Sequence, residues 1–158
     1  MIPEEVFDEM LPRATAWAQQ QERFLLSHRE ARRLTPQEHD IARRAGIARA
    51  EAVRILGVPE IPSPEETDLR EAAGAFGLIL PDSVGLALGY GIFMRQDCLN
   101  DPKLIAHELR HVSQYERHGG IQAFFQQYLA EVNRHRYPDA PMERDAIAFA
   151  ESEFPSRD

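Results

Sequence analysis

The sequence is poor in the features that mark secreted, membrane-spanning and nucleic-acid-coating proteins. It contains one cysteine, Cys98, which excludes an internal disulfide and fits a reducing compartment. It has no run of 18 apolar residues, so we expect no transmembrane helix, and residues 1–5 lack the basic and apolar regions of a signal peptide. Its net charge of −8 disfavours a role in coating nucleic acid. We therefore predict a cytoplasmic protein that does not act at a membrane.

The composition that remains is that of an ordinary globular domain. Hydrophobic residues make up 43% of the chain and charged residues 28%. A length of 158 residues allows one domain with a core of useful size. We therefore expect a single domain over residues 1–158, with a helical N-terminal part over 1–60 and a core over 61–158.

One stretch carries the pattern of a metal site. Residues 103–112 contain the sequence His-Glu-x-x-His, the signature of zinc proteases. On a helix, residues four apart lie on one face, so His107 and His111 can bind the same ion. Glu108 then lies beside that ion, where its carboxylate can accept a proton from a metal-bound water.

The surrounding residues favour a helix for this motif. Asp101 is a good N-cap, Pro102 a good first helical residue, and Gly119 a good C-terminal stop. A helical wheel places His107 in an inward arc, where unpaired polar groups would cost several kcal/mol. The inward arc also holds Leu104, Ile105, Glu108, Leu109, His111, Val112 and Tyr115. The outward side holds Ala106, Arg110, Ser113, Gln114 and Arg117.

A catalytic zinc site needs a third protein ligand, and three residues compete for this role. His118 lies seven residues beyond His111, about 10.5 Å along a helix axis, which is too far for one ion. Glu131 lies twenty residues beyond His111 and resembles the thermolysin spacing. Glu143 starts the last predicted helix, where Ala140 at the cap position has no side-chain oxygen. We favour Glu143 as the third ligand, and Glu131 remains the alternative.

Asp145 follows the favoured ligand closely enough to support the site. A carboxylate there can hydrogen-bond a ligating histidine and fix its tautomer. For the donor that stabilises a tetrahedral intermediate, four candidates stay open. These are His118, His135, Tyr128 and Tyr137.

These motifs together resemble the gluzincin class of zinc metallopeptidases. The run Glu143-Arg-Asp-Ala146 behind His107-Glu108-x-x-His111 is similar to small bacterial HExxH proteins and more distantly to ImmA/IrrE-type peptidases. The resemblance covers about residues 84–152. It implies zinc as cofactor, His107, His111 and Glu143 as ligands, and Glu108 as the base. It also implies an α+β fold, a mainly helical zincin-like minigluzincin with a small antiparallel sheet or hairpin beside the HExxH helix.

The rest of the chain predicts further helices and strands. Apolar spacing favours a long helix over 4–30, with Pro12 marking a kink or a break. Residues 84–95 predict one or two strands with a glycine turn, and this segment is either a sheet edge for substrate or a small buried hairpin. The other predicted elements are a capped helix from Thr35, a strand over 53–58, and helices over 65–77, 121–136 and 142–151.

Residues 40–54 have the rhythm of a helix-turn-helix, and the segment 32–56 that contains them has a local excess of arginine. A DNA-reading helix would place such arginines on phosphates and base edges, but this segment has few side chains suited to base edges.

The function that the sequence predicts is a zinc-dependent metallopeptidase acting on a peptide or protein substrate, with nucleic acid disfavoured as a partner. Two alternatives remain, namely a metal-binding regulatory module without turnover and a DNA-linked regulator using residues 32–56.

Overall fold

The computed structural model describes residues 2–157, and within them the chain forms six α-helices and one three-stranded sheet. The fold is therefore α+β, as predicted. The helices are α1 (Glu4–Leu26), α2 (Pro36–Ala45), α3 (Thr67–Ala75), α4 (Pro102–His118), α5 (Ile121–His135) and α6 (Pro141–Glu153). The strands are β1 (Arg54–Val58), β2 (Gly85–Leu88) and β3 (Gly91–Arg95).

The helix that carries the HExxH motif, α4, begins and ends as predicted. The Asp101 carboxylate accepts hydrogen bonds from the backbone N–H groups of Lys103 and Leu104 at 3.1 and 3.2 Å. Gly119 ends the helix in the left-handed conformation, with a φ of 83° that favours glycine. Local capping residues therefore fix which turns of α4 present the two histidines.

The predicted antiparallel hairpin is present, and a third strand extends it into a mixed sheet. β2 and β3 pair antiparallel across a turn at Gly89, whose φ is 63°. β1 pairs with β3 in parallel, so the strand order is β1-β3-β2. Because β1 lies in the predicted N-terminal part and β3 in the predicted core, the two parts share one sheet.

α4 is buried around most of its circumference, which corrects the helical wheel. α2, α5, α6 and β2 all pack against it. Ala106, Ser113 and Gln114, which the wheel placed on the outward side, are no more than 2% exposed. A wheel assumes one packed face, whereas this helix lies in the centre of the domain.

The second helix of the predicted helix-turn-helix does not form. Gly46 ends α2 in the left-handed conformation, and only a 3-10 turn, Ala50–Ala52, precedes β1. The Glu116 carboxylate of α4 accepts hydrogen bonds from the backbone N–H groups of Ala48 and Arg49 at 2.8 and 3.0 Å. The segment is therefore held against α4 and has no recognition helix.

The first helix is continuous across Pro12, so the predicted break is absent. Pro12 is exposed, which leaves the lost backbone hydrogen bond on the solvent side. The helix ends at Leu26, four residues short of the predicted end. None of the helices in residues 2–157 has the length and apolar character needed to cross a lipid bilayer.

Glu38 gives the start of α2 a pH-dependent contribution to stability. It closes the predicted capping box with Thr35 and accepts two hydrogen bonds from Arg32, at 2.7 and 3.0 Å. Burial acts to raise the pKa of Glu38, but the hydrogen bonds from Arg32 and Thr35 outweigh it and lower the pKa. This contribution is therefore full above the unfolded-state pKa of about 4.3 and is lost as the pH falls through the lower folded-state pKa.

We expect Glu38→Gln to lower the free energy of unfolding by about 1–2 kcal/mol at neutral pH, because a cap and a charged hydrogen bond are lost. The difference from wild type should narrow on acidification, as urea unfolding at a series of pH values would measure. Glu30→Gln, at an exposed position, is the control. A difference that stays constant with pH would contradict this account.

Candidate metal centre

Three side chains from two helices meet at the inward face of α4. The rings of His107 and His111 lie one turn apart with centroids separated by 4.8 Å. Glu143 lies in the first turn of α6. Its Oε1 atom is 3.0 Å from His107 Nε2, and its Oε2 atom is 3.0 Å from His111 Nε2. Ligands at about 2.0–2.1 Å in a tetrahedral zinc site are roughly 3.3 Å from one another. The three donors are therefore close enough to bind a metal ion.

The chemistry of this donor set also fits a metal. Two imidazole nitrogens and one carboxylate oxygen are the ligands of several catalytic zinc sites. Burial acts to raise the pKa of Glu143, but hydrogen bonds with His107 and His111 outweigh it and hold that pKa well below its usual range. The carboxylate is therefore ionised and available as a ligand at neutral pH.

Glu108 lies next to this cluster but is held by the sheet. Its side chain is 5% exposed, and burial raises its pKa. It packs against Gly85 of β2, where an added Cβ would lie 2.9 Å from the carboxylate and 3.3 Å from Glu108 Cγ. A glycine at this position leaves room for the carboxylate beside the strand.

Asp145 supports the site through Gln114, a residue that the sequence did not lead us to expect there. It does not contact a histidine; its carboxylate accepts hydrogen bonds from Arg110 at 2.8 Å and from Gln114 at 2.9 Å. Gln114 in turn contacts His111 Nδ1 at 2.8 Å. The available signal was the spacing of three residues between His111 and Gln114, which makes them neighbours on a helix.

Glu131, the alternative third ligand, has a capping role. One of its oxygens accepts a hydrogen bond from the Met142 backbone N–H at 2.9 Å, and the other from Gln127 at 2.8 Å. It thus supplies, from α5, the cap that Ala140 does not provide for α6. The start of α6, and with it Glu143, is thereby fixed against α5.

The four candidate donors for a tetrahedral intermediate occupy different surroundings. His118 is hydrogen-bonded to the Gln114 carbonyl at 2.8 Å, and His135 is exposed at the end of α5. Tyr128 is buried, with its hydroxyl 3.4 Å from Glu143. Tyr137 is 41% exposed and lines the cavity at the site, and burial together with nearby carboxylates raises its pKa to about 12.

The cluster opens into a cavity of about 620 Å³. One wall is the β2 segment, and apolar side chains from several elements form much of the rest. Its lining includes Leu80, Val84, Gly85, Leu104, Tyr137 and Ile147 together with His107, Glu108, His111 and Glu143. The candidate metal centre is therefore accessible from a cleft large enough for a small molecule or a peptide segment.

No family model, curated protein or solved structure matches this chain at a significant level. The likeness to gluzincins therefore remains an inference from the motif residues, and the site is interpreted from its own geometry.

Replacing Glu143 tests the donor set. We expect Glu143→Gln to weaken zinc binding by more than about 100-fold, because the anionic ligand is lost from a buried site. The measurement is competition with a chromophoric chelator. Glu131→Gln tests the alternative ligand; its amide oxygen can still accept the hydrogen bond from the Met142 N–H, so zinc affinity should fall far less than in Glu143→Gln. The reverse result, with affinity lost only on replacing Glu131, would refute the assignment.

Proposed function

We propose that the protein is a zinc-dependent metallopeptidase of the gluzincin type, which hydrolyses a peptide bond in a peptide or protein substrate in the cytoplasm. The observation that carries the proposal is the convergence of His107, His111 and Glu143 in an open cleft, with buried Glu108 beside them. A structural zinc site is normally closed by four protein ligands and needs no adjacent base. The zincin-like fold forms part of the same proposal.

His107, His111 and Glu143 would hold the zinc ion. When bound, the ion would supply a Lewis acid that polarises the scissile carbonyl and acidifies the attacking water. The imidazole rings provide neutral donors and Glu143 one negative charge. With Zn²⁺ bound, this set would leave a net positive charge facing the cleft, which would suit a carbonyl oxygen that becomes negative.

Glu108 is the proposed general base. It follows His107 directly in α4, so its carboxylate lies next to the ligand cluster without joining it. Its raised pKa suits a group that accepts a proton from the attacking water and then donates it to the leaving amine. The packing of its carboxylate against Gly85 restricts its position, so both proton transfers would occur from one fixed geometry.

In this proposal, the substrate binds as an extended strand along the free edge of β2. The Val84 carbonyl accepts a hydrogen bond from Arg95 of β3 at 2.9 Å, so by antiparallel alternation the backbone groups of Gly85 and Ala87 face the opposite edge. The Ala87 carbonyl is taken by the Tyr115 hydroxyl at 2.9 Å. Gly85 is left to pair with an extended peptide in the cleft. Of the two interpretations of residues 84–95, we therefore propose the substrate edge.

Tyr137 is the proposed donor to the negatively charged oxygen of the tetrahedral intermediate. Of the four candidate residues, it is the one that lines the cavity while remaining partly exposed to an incoming substrate. With a pKa of about 12, its hydroxyl is protonated at neutral pH and can donate a hydrogen bond.

The geometry supports the two alternatives less well. A regulatory module without turnover gives no reason for the placement of Glu108. The DNA-linked regulator lacks its recognition helix, and arginines of the segment 32–56 are engaged within the molecule. Arg32 pairs with Glu38, and Arg44 pairs with Glu153 of α6.

Glu108→Gln tests the base. We expect it to bind zinc as wild type does and to cleave a quenched fluorescent peptide library about 10²–10⁴-fold more slowly, because proton transfer is lost. Zinc content and the rate of fluorescence gain are the measurements, and Glu60→Gln, at an exposed position, is the control. A wild-type protein that binds zinc but cleaves no member of the library would instead favour the regulatory module.

Tyr137→Phe tests the donor. We expect kcat to fall about 10²–10³-fold with zinc affinity unchanged, because one hydrogen bond that forms in the transition state is removed. Steady-state kinetics on the best peptide of the library gives kcat and KM separately. Tyr90→Phe, in the hairpin turn and bonded to Glu116, is the matched control. If kcat is unchanged and only KM rises, Tyr137 binds substrate without stabilising the transition state.

A further inference from the structure

The side-chain amide of Gln114 is buried between the two helices that carry the metal-binding donors. It is 1% exposed and makes three hydrogen-bond contacts. Its oxygen lies 2.8 Å from His111 Nδ1, and its nitrogen donates to the Met142 carbonyl and to an Asp145 carboxylate oxygen, both at 2.9 Å. One amide therefore joins a histidine of α4 to the backbone carbonyl directly before Glu143 on α6.

The orientation of this amide is determined by its partners. The Met142 carbonyl only accepts hydrogen bonds, and the Asp145 carboxylate is already paired with the Arg110 guanidinium at 2.8 and 3.1 Å. An amide rotated by 180° would place its oxygen against both acceptors and leave that buried oxygen without a donor, at a cost of about 1–3 kcal/mol. The amide oxygen must therefore face His111.

An acceptor that faces His111 Nδ1 requires a proton on that nitrogen. Nε2, which donates to Glu143 at 3.0 Å, is then the ring nitrogen whose proton a metal would replace. We propose that Gln114 is a positioning residue that holds His111 in the Nδ1-protonated tautomer and directs Nε2 to the metal. This inference rests on the metal centre of the proposed function, but it does not depend on peptidase activity.

The same contacts extend the support beyond the two ligand helices. Arg110, one turn before Gln114, also donates to the Ala45 carbonyl at the end of α2 at 3.0 Å. The chain of contacts thus runs from α2 through Arg110 and Asp145 to Gln114 and His111. Gln114, which contacts the His111 ring, is thus connected to groups on α2, α4 and α6, and this connection limits rotation of the ring before a metal binds.

The test compares Gln114→Leu with wild type. We expect zinc affinity, measured by chelator competition, to fall about 10–100-fold, the usual effect of losing a group that orients a ligand. Ser113→Ala is the matched control, because Ser113 is equally buried on α4 but bonds only to the Arg110 carbonyl. It should keep zinc affinity, so a general loss of packing in α4 would be distinguished from a loss of positioning.

Long-range ¹H–¹⁵N correlation spectra supply a readout that packing alone would not change. Wild-type protein should show a slowly exchanging Nδ1 proton on His111, with and without zinc, and Gln114→Leu should lose it. If Gln114→Leu does not fold, Asp145→Asn keeps Gln114 and removes the charge that orients its amide, and it should weaken zinc binding several-fold.

The outcomes separate this inference from the proposed function. Wild-type zinc affinity and an unchanged His111 signal in both variants would overturn the positioning role, even if the protein cleaves peptides. Weakened zinc binding in the variants of a protein that cleaves nothing would support the role and refute the peptidase. A wild-type protein without zinc binding and without the Nδ1 proton would overturn both.

Discussion

The packing of α6 against α4 creates the site, because neither helix forms it alone. His107 and His111 share one face of α4 through their spacing, but they provide two donors. Glu143 adds the third donor only because the first turn of α6 packs over that face. Glu131 caps this turn from α5, and Gln114 bonds the carbonyl of Met142 beside it. The position of the third donor is therefore fixed by contacts from both neighbouring helices.

The centre contains two buried carboxylates with opposite surroundings. Glu143 faces two imidazoles, whose hydrogen bonds hold its pKa below the usual range. Glu108 packs against β2, where burial is the largest effect and raises its pKa. Such a divergence between neighbouring acids is what the proposed peptidase requires, with one carboxylate to bind the metal and the other to transfer protons. The divergence follows from which secondary-structure element each side chain contacts.

Much of the local structure could be predicted from the sequence because it depends on short-range chemistry. Asp101, the capping box of Thr35 and the glycine after α4 all act within one helical turn, and each was assigned correctly. Glu143, favoured over Glu131 as the third ligand, lies beside the two histidines, and the signal that pointed to it was also local. The absence of a capping oxygen at Ala140 indicated that the glutamate after it had another use.

The errors arose where distant segments meet. The helix-turn-helix predicted from the rhythm of residues 40–54 does not form. Glu116 of α4, 67 residues beyond Arg49, binds the backbone of that segment instead. The support of His111 by Gln114 depends on α6 covering a side of α4 that a single-helix analysis leaves in solvent. The parallel pairing of β1 with β3 likewise cannot be predicted from the sequence of either strand alone.

The position of β1 determines what can be removed from this protein without loss of the cleft. Its outer edge is covered by Arg32, which exchanges two backbone hydrogen bonds of 2.9 Å with Ile55, and its inner edge supports β3, the partner of β2. A fragment beginning after residue 60 would retain every donor of the candidate metal centre. It would nevertheless expose the unpaired backbone of β3 and undermine the strand next to Glu108. The smallest autonomous unit therefore includes residues far upstream of the histidines.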